Sequence, residues 1–166
     1  MNIADIKVTH TYKVECFDSN GDLKWEDGFE NLVTTEGKNK YLDATLKTGL
    51  ATPAWYVGLV KTVSTGYAAG DTLASHAWTE AVPGTDYTGD RQAFTTGTVA
   101  AGSVDNSASK ATFPILTTMT AVDGALLASV ATGTSGTLLG GGAFAGGSKS
   151  VANGDALQVT VTCTVS

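Results

Sequence analysis

Apolar and polar residues alternate in two long stretches, one near each end of the chain. In residues 8–17 one face consists of Val8, His10, Tyr12, Val14 and Cys16. In residues 156–165 it consists of Leu157, Val159, Val161, Cys163 and Val165. A period of two residues is typical of a strand with one buried face, so both stretches predict strands. The Asn20-Gly21 pair then predicts a turn into a return strand, which makes residues 8–33 a β-hairpin.

The middle of the chain predicts more strands and one helix. Residues 54–60 form the densest aromatic and β-branched run, which favours a central strand over residues 54–61. A helix is expected to begin with Thr34 or Thr35 as its N-cap and to end near Gly49. Its predicted apolar stripe consists of Tyr41, Leu42, Thr45 and Leu46. Further strands are predicted over residues 91–99, 111–119, 124–130 and 138–144.

Together these elements predict an all-β protein with a minor α content. Short strands at regular spacing, separated by turns, are typical of an antiparallel β-sandwich, here jelly-roll-like with one short helix. A chain of 166 residues suits one domain. We expect that domain over residues 8–166, preceded by an N-terminal arm over residues 1–7. The predicted core residues are Trp25, Trp55, Val57, Leu59, Trp78, Val159 and Val161.

The charge of the chain is low and unevenly distributed. The net charge is −6, and no stretch carries the cluster of Lys and Arg that nucleic-acid binding needs. No apolar run reaches the roughly 18 residues of a membrane span, and the N-terminus lacks a signal pattern, which favours synthesis in the cytoplasm. Of the 16 acidic residues, 13 lie in the first 90 positions.

The charge-poor second half has two interpretations. Its surface could remain soluble through Ser, Thr and Gly, or much of it could be covered by other subunits, since the cores of protein interfaces are depleted in charge. We favour the second interpretation. The predicted interface residues are Ile3 and Ile6 in the arm and Leu138, Leu139 and Phe144 in the second half.

The residue types that carry chemistry do not form a recognisable catalytic or metal motif. Asp71, Ser75 and His76 lie close in sequence, but triads are recognised by geometry, and Asp71 is also suited to cap a helical turn. Asp18, Asn20 and Asp22 have the spacing that opens a calcium loop, yet Leu23 stands where that loop needs glycine. We therefore predict no catalytic residue, no metal ligand and no cofactor.

Three other features have structural and functional interpretations. The acidic residues Glu26, Asp27 and Glu30 could bind a divalent ion, although a solvated face is favoured. The glycine-rich run 140–147 lacks the lysine of a phosphate loop and predicts either close backbone approach or a bent strand. Cys16 and Cys163 are expected to be free thiols in a reducing compartment.

Several motifs, in this order along almost the whole chain, resemble small virion proteins of tailed bacteriophages and prophages. They are Tyr12-Lys13-Val14-Glu15-Cys16, Leu23-Lys24-Trp25-Glu26, Glu30-Asn31-Leu32-Val33-Thr34-Thr35-Glu36-Gly37, Trp55-Tyr56-Val57-Gly58-Leu59, Ala68-Ala69-Gly70-Asp71-Thr72-Leu73-Ala74-Ser75-His76, Arg91 with the strand predicted to follow it, Asn106-Ser107-Ala108-Ser109-Lys110-Ala111-Thr112-Phe113 and Gly154-Asp155-Ala156-Leu157-Gln158-Val159-Thr160-Val161.

The proteins in question look like capsid decoration, or cement, proteins with a jelly-roll-like β fold. The resemblance implies a non-enzymatic protein that binds the outer surface of the major capsid protein lattice and stabilises the phage head. It also implies a homo-oligomer, a dimer or a trimer, that is made in the bacterial cytoplasm and ends on the exterior of the virion, with neither nucleic acid nor membrane as a partner.

Two other functions compete with this one. The first is an adhesive or carbohydrate-binding module of a phage fibre or tail appendage, which would use Trp55, Tyr56 or Trp78 as a stacking platform. The second is a hydrolase, whose support is limited to Asp71, Ser75 and His76.

Overall fold

The computed structural model describes residues 7–49, 53–63 and 66–166. Within them the chain is mostly β-structure, with one α-helix, α1, at Thr35–Leu46. The strands are β1 Val8–Phe17, β2 Leu23–Glu30, β3 Leu32–Val33, β4 Tyr56–Val63, β5 Trp78–Glu80, β6 Gln92–Ala93, β7 Ser103–Asp105, β8 Ala111–Pro114, β9 Met119–Val122, β10 Gly124–Ala128, β11 Leu138–Ala143, β12 Lys149–Val151 and β13 Ala156–Val165.

The two long alternating strands lie side by side at the centre of the first sheet. Its order is β2-β1-β13-β7, and β8 pairs with the first half of β13. β1 and β13 pair antiparallel over their whole length, from Val8 opposite Val165 to Phe17 opposite Ala156. The buried positions of both strands are those that the alternation predicts, so the predicted hairpin and the predicted last strand are confirmed.

The second sheet has the order β3-β11-β10-β4-β5, and β6 pairs with the start of β4. Val57 and Leu59 of β4 face the first sheet and share one core with Val14 and Val159. This face-to-face arrangement is the predicted antiparallel sandwich. The jelly-roll connectivity stays a prediction.

The opposite face of the second sheet is covered by the chain between Tyr67 and Trp78. Val60 and Leu126 form a second core there with Leu73 and Trp78, against which Tyr67 packs. Because this sheet is covered on both sides, all five residues of β10 are buried and its sequence shows no alternation.

Glycines make β11 thin enough to lie between the two cores. A β-carbon on Gly142 would collide with the ring of Phe29, and one on Gly141 would collide with the ring of Tyr67. The aromatic rings therefore occupy the space that side chains of β11 would need. The close backbone approach predicted for the glycine-rich run is confirmed.

Helix α1 is held at its N-terminus by the same strand. Thr34 is the N-cap, and its hydroxyl accepts a hydrogen bond from the Gly37 amide at 3.0 Å and donates one to the Leu138 carbonyl at 2.5 Å. The Glu36 carboxylate accepts from the Leu138 amide. These bonds fix the first turn on β11, which explains how a helix with few buried residues keeps its place.

The predicted apolar stripe of α1 is wrong. Leu42 and Leu46 are 56% and 76% exposed, and Thr45 is also exposed. The helix meets the sheet through Gly37, whose missing side chain allows contact with the Leu139 backbone, and through Tyr41. The docked face therefore lies beside the predicted one, because close approach at a glycine decided the orientation.

The predicted strand over residues 91–99 is mostly wrong. Only Gln92 and Ala93 pair, with the start of β4, and residues 95–100 are all exposed. After Phe94, whose amide donates to the Trp55 carbonyl at 2.8 Å, the chain leaves the sheet. Thr and Val suit a strand only where a neighbouring strand offers backbone partners.

Three of the predicted interface residues require correction. Leu138, Leu139 and Phe144 are between 0% and 4% exposed and belong to the two cores of this single chain. Their apolar side chains are needed inside because the glycines of β11 contribute none. The remaining two, Ile3 and Ile6, lie outside the described residues.

We expect replacement of Gly142 by valine to lower the free energy of unfolding by about 1–3 kcal/mol, because the added side chain must displace the Phe29 ring in a packed core. Urea denaturation measures the change. Gly70→Ala is the matched control, since no atom lies within 4 Å of the added carbon, and it should leave stability nearly unchanged. Equal stability of Gly142→Val and the parent chain would contradict this packing.

Candidate docking groove

The sandwich is open at one end, where the two sheets and helix α1 surround an apolar groove. The cavity has a volume of about 380 Å³. Three parts of the chain form most of its walls. They are Tyr41 of α1, Trp55 and Phe94 next to the strands β4 and β6, and Cys163 and Val165 of β13. A concave apolar surface of this size falls in the range of ligand and peptide pockets.

The register of the first sheet explains why the groove is there. β13 continues its inward alternation from Val161 through Cys163 to Val165, beyond the point where the opposite sheet fills the space. The backbone pair between Lys7 and Ser166, at 2.7 and 3.0 Å, closes the sheet at the lip. Inward-facing apolar residues therefore remain partly exposed at this end.

One rim of the groove is an uncharged surface segment, residues 93–104. It has no Asp, Glu, Lys or Arg, and Val99 near its middle is 69% exposed. Val165 on the facing strand is 49% exposed. Exposed apolar side chains that adjoin an apolar concavity are typical of an interaction site.

A buried polar cluster connects α1 to the first sheet beneath the groove. The Asn31 amide donates to His10 Nδ1 at 3.0 Å, so His10 is neutral with its proton on Nε2 and donates to the Tyr41 hydroxyl at 2.6 Å. Burial lowers the pKa of His10 to about 4. Burial also raises the pKa of the Tyr41 hydroxyl and raises that of the free Cys163 thiol to about 11. At neutral pH the floor of the groove is therefore uncharged.

The cations of the protein are almost all neutralised by ion pairs, with an exception beside the groove. Of the 10 basic residues, all in the described part of the chain, eight form salt bridges. The remaining two, Lys38 and Lys40, both lie on α1, and Lys40 lines the groove. The site thus offers an apolar cleft with one lysine, Lys40, in its lining that forms no salt bridge within the described residues.

The candidate triad residues Asp71, Ser75 and His76 are not arranged for catalysis. Asp71 accepts hydrogen bonds from the Trp78 indole at 3.1 Å and from the Ala68 amide at 3.0 Å. His76 donates from Nδ1 to the Trp78 carbonyl at 2.8 Å and stacks on the Trp78 ring. The Asp71 segment forms a turn with a Thr72–Ser75 bridge instead of the predicted helical turn. These residues hold Trp78 in place.

The acidic candidates for cation binding are separated and paired. Asp18 accepts from the backbone amides of Asn20 and Asp22 at 2.8 and 2.9 Å, which lowers its pKa and builds the hairpin turn. Glu26, Asp27 and Glu30 form ion pairs with three different lysines. Across residues 7–49, 53–63 and 66–166, no cluster of His, Cys, Asp and Glu could hold a metal ion.

The predicted core residues occupy different depths. Val57, Leu59, Trp78, Val159 and Val161 are buried. Trp25 packs on the core from the edge and donates to the Ser150 carbonyl, and Trp55 is half-buried in the wall of the groove.

The groove itself was missed by the sequence reasoning, and so were Phe94, Val99 and Lys40. The run without charge from residue 93 to residue 104 is the sequence signal for this surface, but its Thr and Val residues also match the pattern of a strand. Comparison of the chain with models of known protein families, with curated proteins and with solved structures found no match in any of the three.

His10 should make the free energy of unfolding depend on pH. Its pKa is about 4 when folded and near 6.5 in the unfolded chain, so the unfolded state binds more protons between these values. The stability that neutral His10 provides is complete above pH 6.5 and is lost as pH falls through 4, by up to about 3 kcal/mol. Between pH 7 and pH 4.5, urea unfolding should show a smaller loss of unfolding free energy for His10→Gln than for the parent. An equal loss of unfolding free energy at pH 4.5 in the parent and in His10→Gln would contradict the lowered pKa of His10.

Proposed function

We propose that this protein is a non-enzymatic capsid decoration, or cement, protein of a tailed bacteriophage. It binds the outer surface of the major capsid protein lattice and stabilises the head against the pressure of the packaged DNA. It acts through surface contacts and uses no catalytic residue, metal or cofactor.

The uncharged rim around the apolar groove is the observation that carries this proposal. A surface segment of 12 residues, 93–104, most of them exposed, has no charge and borders a cleft walled by Trp55, Phe94 and Val165. The cores of protein–protein interfaces have this combination of aromatic enrichment and charge depletion. A protein partner is therefore favoured over solvent as the environment of this end.

The rest of the molecule has the features expected of a rigid structural protein. Two cores are packed on the two faces of one sheet, and the strands β1 and β13 tie the chain ends together. Many copies attached to one shell gain avidity from multiple weak contacts, so each contact surface can be small.

The partners follow from the same proposal. They are the major capsid protein and further copies of this chain, in a dimer or a trimer, on the exterior of a virion whose proteins are made in the bacterial cytoplasm. Neither nucleic acid nor membrane is a partner. In the parts of the chain that the structure describes, no helix combines the length and the apolar character needed to cross a bilayer.

Virion composition tests the proposal. We expect quantitative mass spectrometry of purified phage particles to find this chain in a fixed ratio to the major capsid protein. Particles that lack its gene should release their DNA at a lower temperature than the parent, and supply of the purified chain should restore the parental temperature. Absence of the chain from purified virions would refute the proposal.

An adhesive or carbohydrate-binding module is the second candidate, because the half-buried Trp55 lines the groove together with Phe94. Trp78 no longer supports it, since that side chain is buried beneath Tyr67 and His76. A glycan array separates the two functions. The decoration function predicts the same background signal for the parent and for Trp55→Ala, whereas a specific glycan signal that Trp55→Ala removes would establish the module.

A further inference from the structure

We propose that the groove binds the N-terminal segment, residues 1–6, of a second copy of this chain. This inference rests on the proposed function for its place in a capsid lattice. It names the contact that links neighbouring copies. The groove and the chain start supply three independent arguments.

The first argument is chemical complementarity. The segment reads Met1-Asn2-Ile3-Ala4-Asp5-Ile6, so two isoleucines flank one carboxylate. The groove offers the matching surface, with apolar walls at Trp55, Phe94 and Val165 and the ammonium group of Lys40 at its edge. Lys40 forms no salt bridge within the described residues, and the Asp5 carboxylate of a partner would supply one.

The second argument is the position from which the segment leaves. Lys7 is fixed at the lip of the groove by its backbone bonds to Ser166, and Val8 lies opposite Val165. β1 runs from that lip towards the far end of the sandwich. The six residues before Lys7 reach at most about 20 Å when extended, which is enough to enter an adjacent molecule.

The third argument distinguishes a second copy from the chain's own segment. To enter its own groove the segment must reverse direction directly before Lys7, and a tight turn takes four residues. A turn over residues 3–6 would include both Ile3 and Ile6 and leave neither of them for the cleft. A segment from a second copy can enter without a turn, and it can contribute both isoleucines and Asp5.

The exchange is reciprocal when two copies meet about a twofold axis, since each then supplies one segment and one groove. The groove volume of about 380 Å³ accommodates two aliphatic side chains. The two contacts form together, so the dimer is tighter than either contact alone.

Sedimentation equilibrium of the purified full-length chain tests this proposal. The parent should be an oligomer whose dissociation constant rises about tenfold for each isoleucine replaced in Ile3→Ser and Ile6→Ser. Val99→Glu, at an exposed position on the rim, should weaken association to a similar degree without disturbing the core. Leu23→Glu is the matched control, since Leu23 is 52% exposed and lies opposite Phe17 at the far end of the first sheet, and it should leave the constant unchanged.

A charge exchange makes the test specific for the proposed pair. Asp5→Lys and Lys40→Glu should each weaken association several-fold, and the double variant should recover most of the loss. A chain that is monomeric at every concentration, or an oligomer indifferent to the arm and rim variants, would overturn the proposal. Because these measurements use the free protein, they are independent of whether the chain is found in virions.

Discussion

The packing of aromatic rings against a glycine strand is the constraint on which this structure depends. β11 lies between β10 and β3, and it carries three consecutive glycines, Gly140 to Gly142. The rings of Phe29 and Tyr67 occupy the two faces that β-carbons would otherwise fill. The second sheet can therefore be covered from both sides, by the first sheet on one and by the Tyr67–Trp78 segment on the other. This double coverage explains why Asp71, His76 and Trp78, which the sequence offers as candidates for catalysis or sugar stacking, are engaged in packing.

The same strand determines where the molecule is left open. Thr34, Glu36 and Gly37 attach the start of α1 to the backbone at Leu138 and Leu139. The rest of the helix then extends past the end of the sheet, where Tyr41 rests on His10 and Leu42 and Leu46 face outward. The inward residues at the end of β13, Cys163 and Val165, line the groove together with Tyr41, Trp55 and Phe94. The helix anchored on β11 therefore forms one wall of this groove, and the mostly apolar lining suits a protein partner.

Strands with one buried face were predictable from sequence, and the apolar groove was not. The alternation in β1 and β13 specified their faces residue by residue, and the aromatic run specified β4. The glycine-rich run indicated close approach but not its partners, because Phe29 and Tyr67 are distant in sequence. Residues 94–99 were mistaken for a strand, since β-propensity describes side chains and says nothing of whether a neighbouring backbone is present. Leu138, Leu139 and Phe144 were assigned to an interface on the basis of low local charge, which is equally a property of a buried core.

The central claim is that this protein functions through contact surfaces on the outside of a capsid and not through an active site. A cryo-electron-microscopy map of the phage particle tests it most directly. The account predicts density for this sandwich on the outer face of the shell, with the groove end against a neighbouring subunit and the Trp78 side away from the contact. A shell that carries no such density, with the sandwich located instead on a tail fibre, would contradict it.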